Sequence, residues 1–226
     1  MTLAVAAPLL GLLAVLMAAV EIEIEGSHGW AERLPTPYRV SGPAARLFGR
    51  VLGGKPLTGY NLLMFATTLV AFHLPFAFGA PWTTARELAL LAAWISWSAL
   101  WDLLWFLLNP AYGWRLFRAG NVWWHGRWLW RLPLDYWLAG AVSLVLAFAA
   151  QVIAWGGASG GGVGPLAGQA LLLIAFVAWA VAAGLLAPLY RRAYEHTHAP
   201  AFDERDRVPI TPPPRERRPN DCDSST

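Results

Sequence analysis

The chain has 226 residues, 57% of them apolar and only 14% charged. Soluble domains run at about 45–50% apolar and about 25% charged, so this balance excludes an ordinary soluble enzyme and a disordered chain and suits a protein dissolved in lipid. The single cysteine, Cys222, excludes a disulfide framework, a thiolate zinc site or a Cys-ligated cluster within one copy.

Crossing a hydrocarbon core of about 30 Å takes roughly 20 apolar residues. Five runs qualify: about residues 3–20, 59–78, 88–108, 132–155 and 166–190. None alternates with period two, so helices rather than barrel strands are predicted. Breakers stand where they are needed. Pro56 and Thr58 precede the second run, Asn109-Pro110 ends the third, and Pro133 opens the fourth. The expected fold class is therefore an all-α integral membrane bundle of five transmembrane helices. Residues 1–198 form the transmembrane domain, and the Pro-rich, charged residues 199–226 form a disordered tail.

Lys and Arg set the orientation. The segment after the first run, the three loops and the tail carry five, one, four, none and seven of them in turn. By the positive-inside rule the amino terminus lies outside, while Glu21–Thr58, Asn109–Arg131 and the C-terminal tail are cytoplasmic. A cell-membrane (plasma or inner membrane), multi-pass protein results, and its net charge of +3 is accounted for with no nucleic acid as partner. The first run has no basic n-region and no clear cleavage site, so it reads as a retained span rather than a signal peptide. The glycine-rich stretch Gly156–Gly164 lacks the Lys-Ser/Thr of a phosphate-binding loop and reads as an outer turn.

Charged residues inside spans are costly, about 2.5–3.5 kcal/mol at a helix centre, and point to function. Asp102 lies roughly 9 Å from the inner end of its helix at about 1.5 Å per residue. Ser98, Asp102 and Asn109 fall on one stripe, with Trp94, Trp97, Trp101 and Trp105 beside it. If the first helix runs past Val20, then Glu21, Glu25, His28 and Glu32 share a face, with Gly26 and Gly29 as the places where it would break. Glu25-Gly-Ser-His28 and Glu195-His-Thr-His198 have the Glu-x-x-His spacing that can offer a carboxylate and an imidazole to one metal ion. The loop Asn109–Arg131 holds five Trp, four Arg and His125. It is expected to lie flat on the inner leaflet as an aromatic belt with basic anchors, or to act as a port for an anionic lipid. His73, near Pro75 in the outer half of its span, reads as a hydrogen-bonded core histidine.

These residues converge on one predicted pocket at the cytoplasmic face. In the enzymatic reading Glu25, His28, His125 and Asp135 are ligands of a divalent metal, and Asp102 and Asn109 are catalytic, with Asp102 as acid–base group. The substrate is a lipid or isoprenoid-type molecule entering from the membrane. In the alternative reading the protein is a small transporter, a proton-coupled subunit or an assembly factor, and Asp102 is a relay or an interhelical hydrogen-bond partner. The partner is membrane lipid in the first case, and a second copy or another membrane protein in the second.

The strings Glu25-Gly-Ser-His-Gly-Trp-Ala31, Asp102-Leu-Leu-Trp-Phe-Leu-Leu-Asn-Pro-Ala-Tyr-Gly113, Trp124-His125 and Leu132-Pro-Leu-Asp-Tyr-Trp137 resemble those of small uncharacterised prokaryotic integral membrane proteins. The resemblance runs from about Glu21 to Leu138 and implies no particular activity.

Overall fold

The computed structural model describes residues 3–39, 41–51, 54–155 and 163–197. Five of its helices are long and apolar enough to cross a membrane: α1 (Leu3–Glu25), α3 (Gly59–Ala77), α4 (Thr84–Leu108), α6 (Leu134–Trp155) and α7 (Pro165–Thr197). Two shorter helices lie between them, α2 (Pro43–Val51) and α5 (Gly113–Leu116). The purely helical expectation is amended by two antiparallel ladders of two residues per strand. One joins β1 (Tyr38–Arg39) to β2 (Leu57–Thr58), and the other joins β3 (Trp128–Leu129) to β4 (Leu132–Pro133). Both occur where a loop folds back on the bundle end, and each pairs backbone groups of the loop with the residues just before a long helix.

Local chemistry explains the helix ends. α1 outruns the expected limit at Val20 by five residues and stops where Gly26 takes a left-handed φ of 60°, its N–H donating to the Ile22 carbonyl at 2.9 Å. Thr58 caps α3 by accepting from the Asn61 N–H at 3.0 Å. Thr83 caps α4 through the Arg86 N–H at 3.2 Å, and Glu87 complements the positive end of that helix. α4 stops at Leu108 because Asn109 precedes Pro110, which disfavours a helical residue before it. α7 runs seven residues past the expected end at Tyr190, so Glu195 is helical. His198 and the tail lie outside the described residues, as do most of the glycine-rich turn.

α4 is the central helix, packed on α1, α3, α6 and α7. Half of its apolar stretch is buried, against about a tenth for α3 (50% and 11%). Trp97, fully buried, donates its indole N–H to the Leu10 carbonyl at 2.8 Å and packs at a tilt against the Phe72 and Trp101 rings. Buried alanines on α1 (Ala14, Ala18), α6 (Ala147, Ala150) and α7 (Ala183, Ala187) let the helices approach closely. Gly11 leaves room for the Trp179 indole, which an added Cβ would overlap. The outward rows are apolar, as on α1 with Val5, Leu9, Leu12 and Leu16, a surface suited to hydrocarbon.

The up-and-down order brings the last turns of α1, α4 and α7 to the same end as the first turns of α3 and α6. The loops 26–58 and 109–133 close over that end. The second loop does not lie flat. It turns Phe117, Val122, Trp124 and His125 inward against α4, and leaves Trp114 and Trp130 exposed. Gly113, at φ 69°, lets the chain pass the Arg191 guanidinium, which a Cβ would meet at 2.6 Å. Arg191 in turn donates to the Leu107 carbonyl at 2.5 Å and ties α7 to α4.

Candidate functional site

Glu21 and Glu25 stand one turn apart on α1 and share a face. Glu25 is buried, and its Oε1 accepts the Ala31 N–H at 2.7 Å. Trp30 and Ala31 both have left-handed backbones, φ 57° and 56°, a conformation uncommon outside glycine. The Glu25 carboxylate holds this bend from one side, and the Trp30 indole N–H holds it from the other through the Pro56 carbonyl at 2.8 Å. Gly29 fits because it has no side chain: a Cβ there would come within 2.5 Å of Trp124 and 2.8 Å of Trp105. Strained backbone persists only where its surroundings fix it, and such bends gather at binding and catalytic sites.

Opposite this bend, Asp102 of α4 begins a chain of charged and polar groups. Its Oδ2 accepts from the Tyr136 hydroxyl of α6 at 2.5 Å. The same oxygen lies 3.2 Å from His125 Nε2, off the line of a hydrogen bond. On the other side of the ring, Nδ1 is 3.0 Å from Asp135 Oδ2. That oxygen also receives the Lys55 ammonium at 2.8 Å, and Lys55 sits over the Trp30 ring, 4.7 Å from its centre. The His125 side chain is fully buried and is packed among Phe106, Phe117, Trp128 and Tyr136. Of the two ring nitrogens, Nδ1 is placed to hydrogen-bond Asp135, while Nε2 faces Asp102 without a hydrogen bond. Buried charges persist only when paired in this way.

A narrow cleft lies between α1, α3 and α4, with a cavity volume of about 30 Å³ that widens into an open mouth. α1 supplies Glu21 and Glu25, α3 supplies Asn61, Met64 and Phe65, and α4 supplies Ser98, Trp101, Asp102 and Trp105. Trp30 and Trp124 close it from the two loops. Asp102 therefore belongs both to the cleft wall and to the buried chain behind it.

The expected site residues divide. Asp102, His125 and Asp135 come together, and Glu25 faces the same cleft as Asp102. His28 and Glu32 leave the face they were expected to share, because Gly26 ends the helix before them; the His28 N–H closes a turn on the Glu25 carbonyl at 3.1 Å. Asn109, expected among the catalytic groups, is fully buried and braces two loops instead. Its Nδ2 donates to the Gly26 carbonyl at 2.7 Å and its Oδ1 accepts the Ala111 N–H at 2.9 Å. The four expected metal ligands do not close on a common point, and among the described residues no three His, Cys, Asp or Glu side chains are placed to hold a metal ion. Beside Asp135, the cation present is the Lys55 ammonium. His73 bonds the Leu69 carbonyl at 2.7 Å and Glu87 at 2.9 Å, as the hydrogen-bonded reading expected, but with its side chain 34% exposed it is not a core histidine.

Lys55 and Tyr136 were not legible in advance. Lys55 stands in a short Gly-Gly-Lys-Pro stretch that reads as a cytoplasmic anchor, and only its 5% exposure separates it from the other basic residues there. Tyr136 follows Asp135 directly, but no spacing rule ties it to Asp102 in another helix. Two tyrosines outside the spans respond to the acids of the α1 end. Burial, then Glu32 and Glu25, push the Tyr38 and Tyr112 hydroxyls above the ordinary tyrosine range.

No family model, no curated protein and no solved structure matches the chain.

Proposed function

We propose that this is a multi-pass protein of the cell membrane, amino terminus outside and carboxyl terminus cytoplasmic, that performs acid–base chemistry on a lipid-soluble molecule at the inner leaflet. The alternation of Lys and Arg supports the orientation. The observation that carries the chemistry is the placement of Asp102, with one side in a cleft open to the substrate and the other against His125 and Tyr136. Both protein contacts fall on Oδ2, and Oδ1 takes no hydrogen bond among the described residues. In this reading Asp102 takes a proton from a substrate X–H group and leaves the electron pair on the substrate. His125 and Asp135 hold the charge balance behind it, and Lys55 fixes Asp135. Tyr136 and His125 act as positioning residues, since neither lines the cleft.

A second reading keeps the same chain as architecture. It ties α4, α6 and both loops together through one set of contacts, as an assembly factor or a proton-coupled subunit would need. Asp102→Asn separates the two. The purified protein is incubated in vesicles of extracted native lipid, and the lipid is analysed by mass spectrometry. The enzymatic reading expects a lipid species that changes mass with wild type and not with Asp102→Asn, both proteins melting alike. No change with wild type, or collapse of the fold in Asp102→Asn, removes it in favour of the second.

A further inference from the structure

The cleft is rich in acids. Glu21, Glu25 and Asp102 line it, with Asp135 just behind, in a chain whose net charge is +3 and at a bundle end that is otherwise basic. Lys55 and His125 lie on Asp135 and Asp102. Among the described residues no Lys, Arg or His nitrogen comes within ion-pair distance of Glu21 or Glu25. Acids turned away from water either stay neutral or take a cation, and a cation entering here would meet two acids that no basic side chain occupies.

The walls select its type. A metal ion needs oxygen or imidazole donors closing on one point, and the described residues offer no such set. The acids instead share the lining with Trp30, Trp101, Trp105, Trp124 and Phe65. Indole faces attract ammonium groups and pack against hydrocarbon, and Trp30 already holds one ammonium, that of Lys55. Asn61 and Ser98 add neutral oxygens on the α3 and α4 walls, so the cleft is rich in acceptors for N–H donors. Two donors are left over. The Trp101 and Trp105 indole nitrogens are buried, belong to residues that line the cleft and have no hydrogen-bond partner among the described residues.

We propose that the cleft binds a protonated amine on an apolar stem, with Glu21 and Glu25 as its counter-charges, the indoles around its first carbons, and an oxygen close to the nitrogen accepting from Trp105. The ligand class deepens the acid–base reading and rests on it for the reaction, but binding is measured without turnover. The full chain in maltoside micelles is titrated with dodecylamine at pH 7 and followed by tryptophan fluorescence. N-dodecylacetamide serves as the neutral equivalent, and ethanolamine as a free amine without a stem. Dodecylamine is expected to saturate at least tenfold more tightly than the acetamide. Glu21→Gln and Glu25→Gln are each expected to weaken it about fivefold or more while leaving the acetamide unchanged, and ethanolamine is expected not to saturate.

Equal affinity for amine and amide, or wild-type amine affinity in both Gln variants, overturns the proposal. Ethanolamine binding as tightly as dodecylamine overturns the stem and assigns the site to a soluble amine. If Glu25→Gln unfolds through its contact with Ala31, Glu21→Gln carries the test alone. A lipid converted by wild type without amine preference would overturn the ligand class and leave the acid–base reading standing. Amine preference without any lipid conversion would support the ligand class and remove the reaction.

Discussion

Replacing Lys55 with Met removes a buried ammonium while keeping the length of its stem. The Lys55–Asp135 pair is 2.8 Å long, with side chains 5% and 19% exposed. Removing one partner of a buried pair costs about 3–5 kcal/mol, because the charge left behind has lost its counter-ion. Asp135 keeps His125 at 3.0 Å, which offsets part of that loss. Met also gives up the contact of the Lys55 ammonium with the Trp30 ring, while its thioether fills much of the same space. A destabilisation of about 2–4 kcal/mol is expected. The assay is reversible unfolding in mixed micelles of rising SDS fraction, run on Lys55→Met, Asp135→Asn and the double variant. A coupling of at least about 1.5 kcal/mol should appear between the two sites. Exposed pairs are worth only about 0.2–1 kcal/mol. A loss below about 1 kcal/mol with additive effects would mean that Lys55 is solvated, and that loop 26–58 does not fold onto the bundle as described.

Three further outcomes follow from particular contacts. Asn109→Ala strips partners from the Gly26 carbonyl and the Ala111 N–H at a site with no water access, and should cost about 2–4 kcal/mol in the same unfolding assay; a neutral result would remove its bracing role. Gly29→Ala presses a methyl into the Trp105 and Trp124 rings and should cost about 1–3 kcal/mol, with a shift in tryptophan emission that reports the displaced indoles. Tyr112 is buried with its hydroxyl unpartnered and held protonated in the folded state above the ordinary range. The unfolded chain ionises this group near pH 10, so the stability it contributes is intact below that pH and is lost as pH rises above it. Tyr112→Phe should therefore be neutral or slightly stabilising at pH 7 and should flatten the alkaline fall in melting temperature; an unchanged alkaline slope would contradict the burial of this group.

The five long helices were legible because hydrocarbon thickness imposes a minimum run of apolar residues, and the breakers at Thr58, Asn109-Pro110 and Pro133 marked their ends. The convergence of Asp102, His125 and Asp135 was legible for a related reason: alternation of spans assigns each loop to one side, and these three fall on the same side. The ends of α1 and α7 were less accessible. Glu21, Glu23 and Glu25 look like a cytoplasmic linker by composition, yet helix propensity carries them one more turn until Gly26. Neither the bracing by Asn109 nor the burial of Lys55 has a local signal, since both depend on where two distant loops meet. The metal set, by contrast, fails to assemble for a local reason that the sequence shows. Glu-x-x-His spacing places both ligands together only on an unbroken helix, and the left-handed Gly26 lies between Glu25 and His28.

The direct test of the centre is the His125 ring itself. In bilayers of protein labelled with ¹⁵N-histidine, assigned by loss of signal in His125→Gln, the two ring nitrogens are expected to answer to different acids. Asp135→Asn should move the Nδ1 resonance and Asp102→Asn the Nε2 resonance. A ring whose two nitrogens exchange freely with solvent and respond to neither substitution would contradict the account.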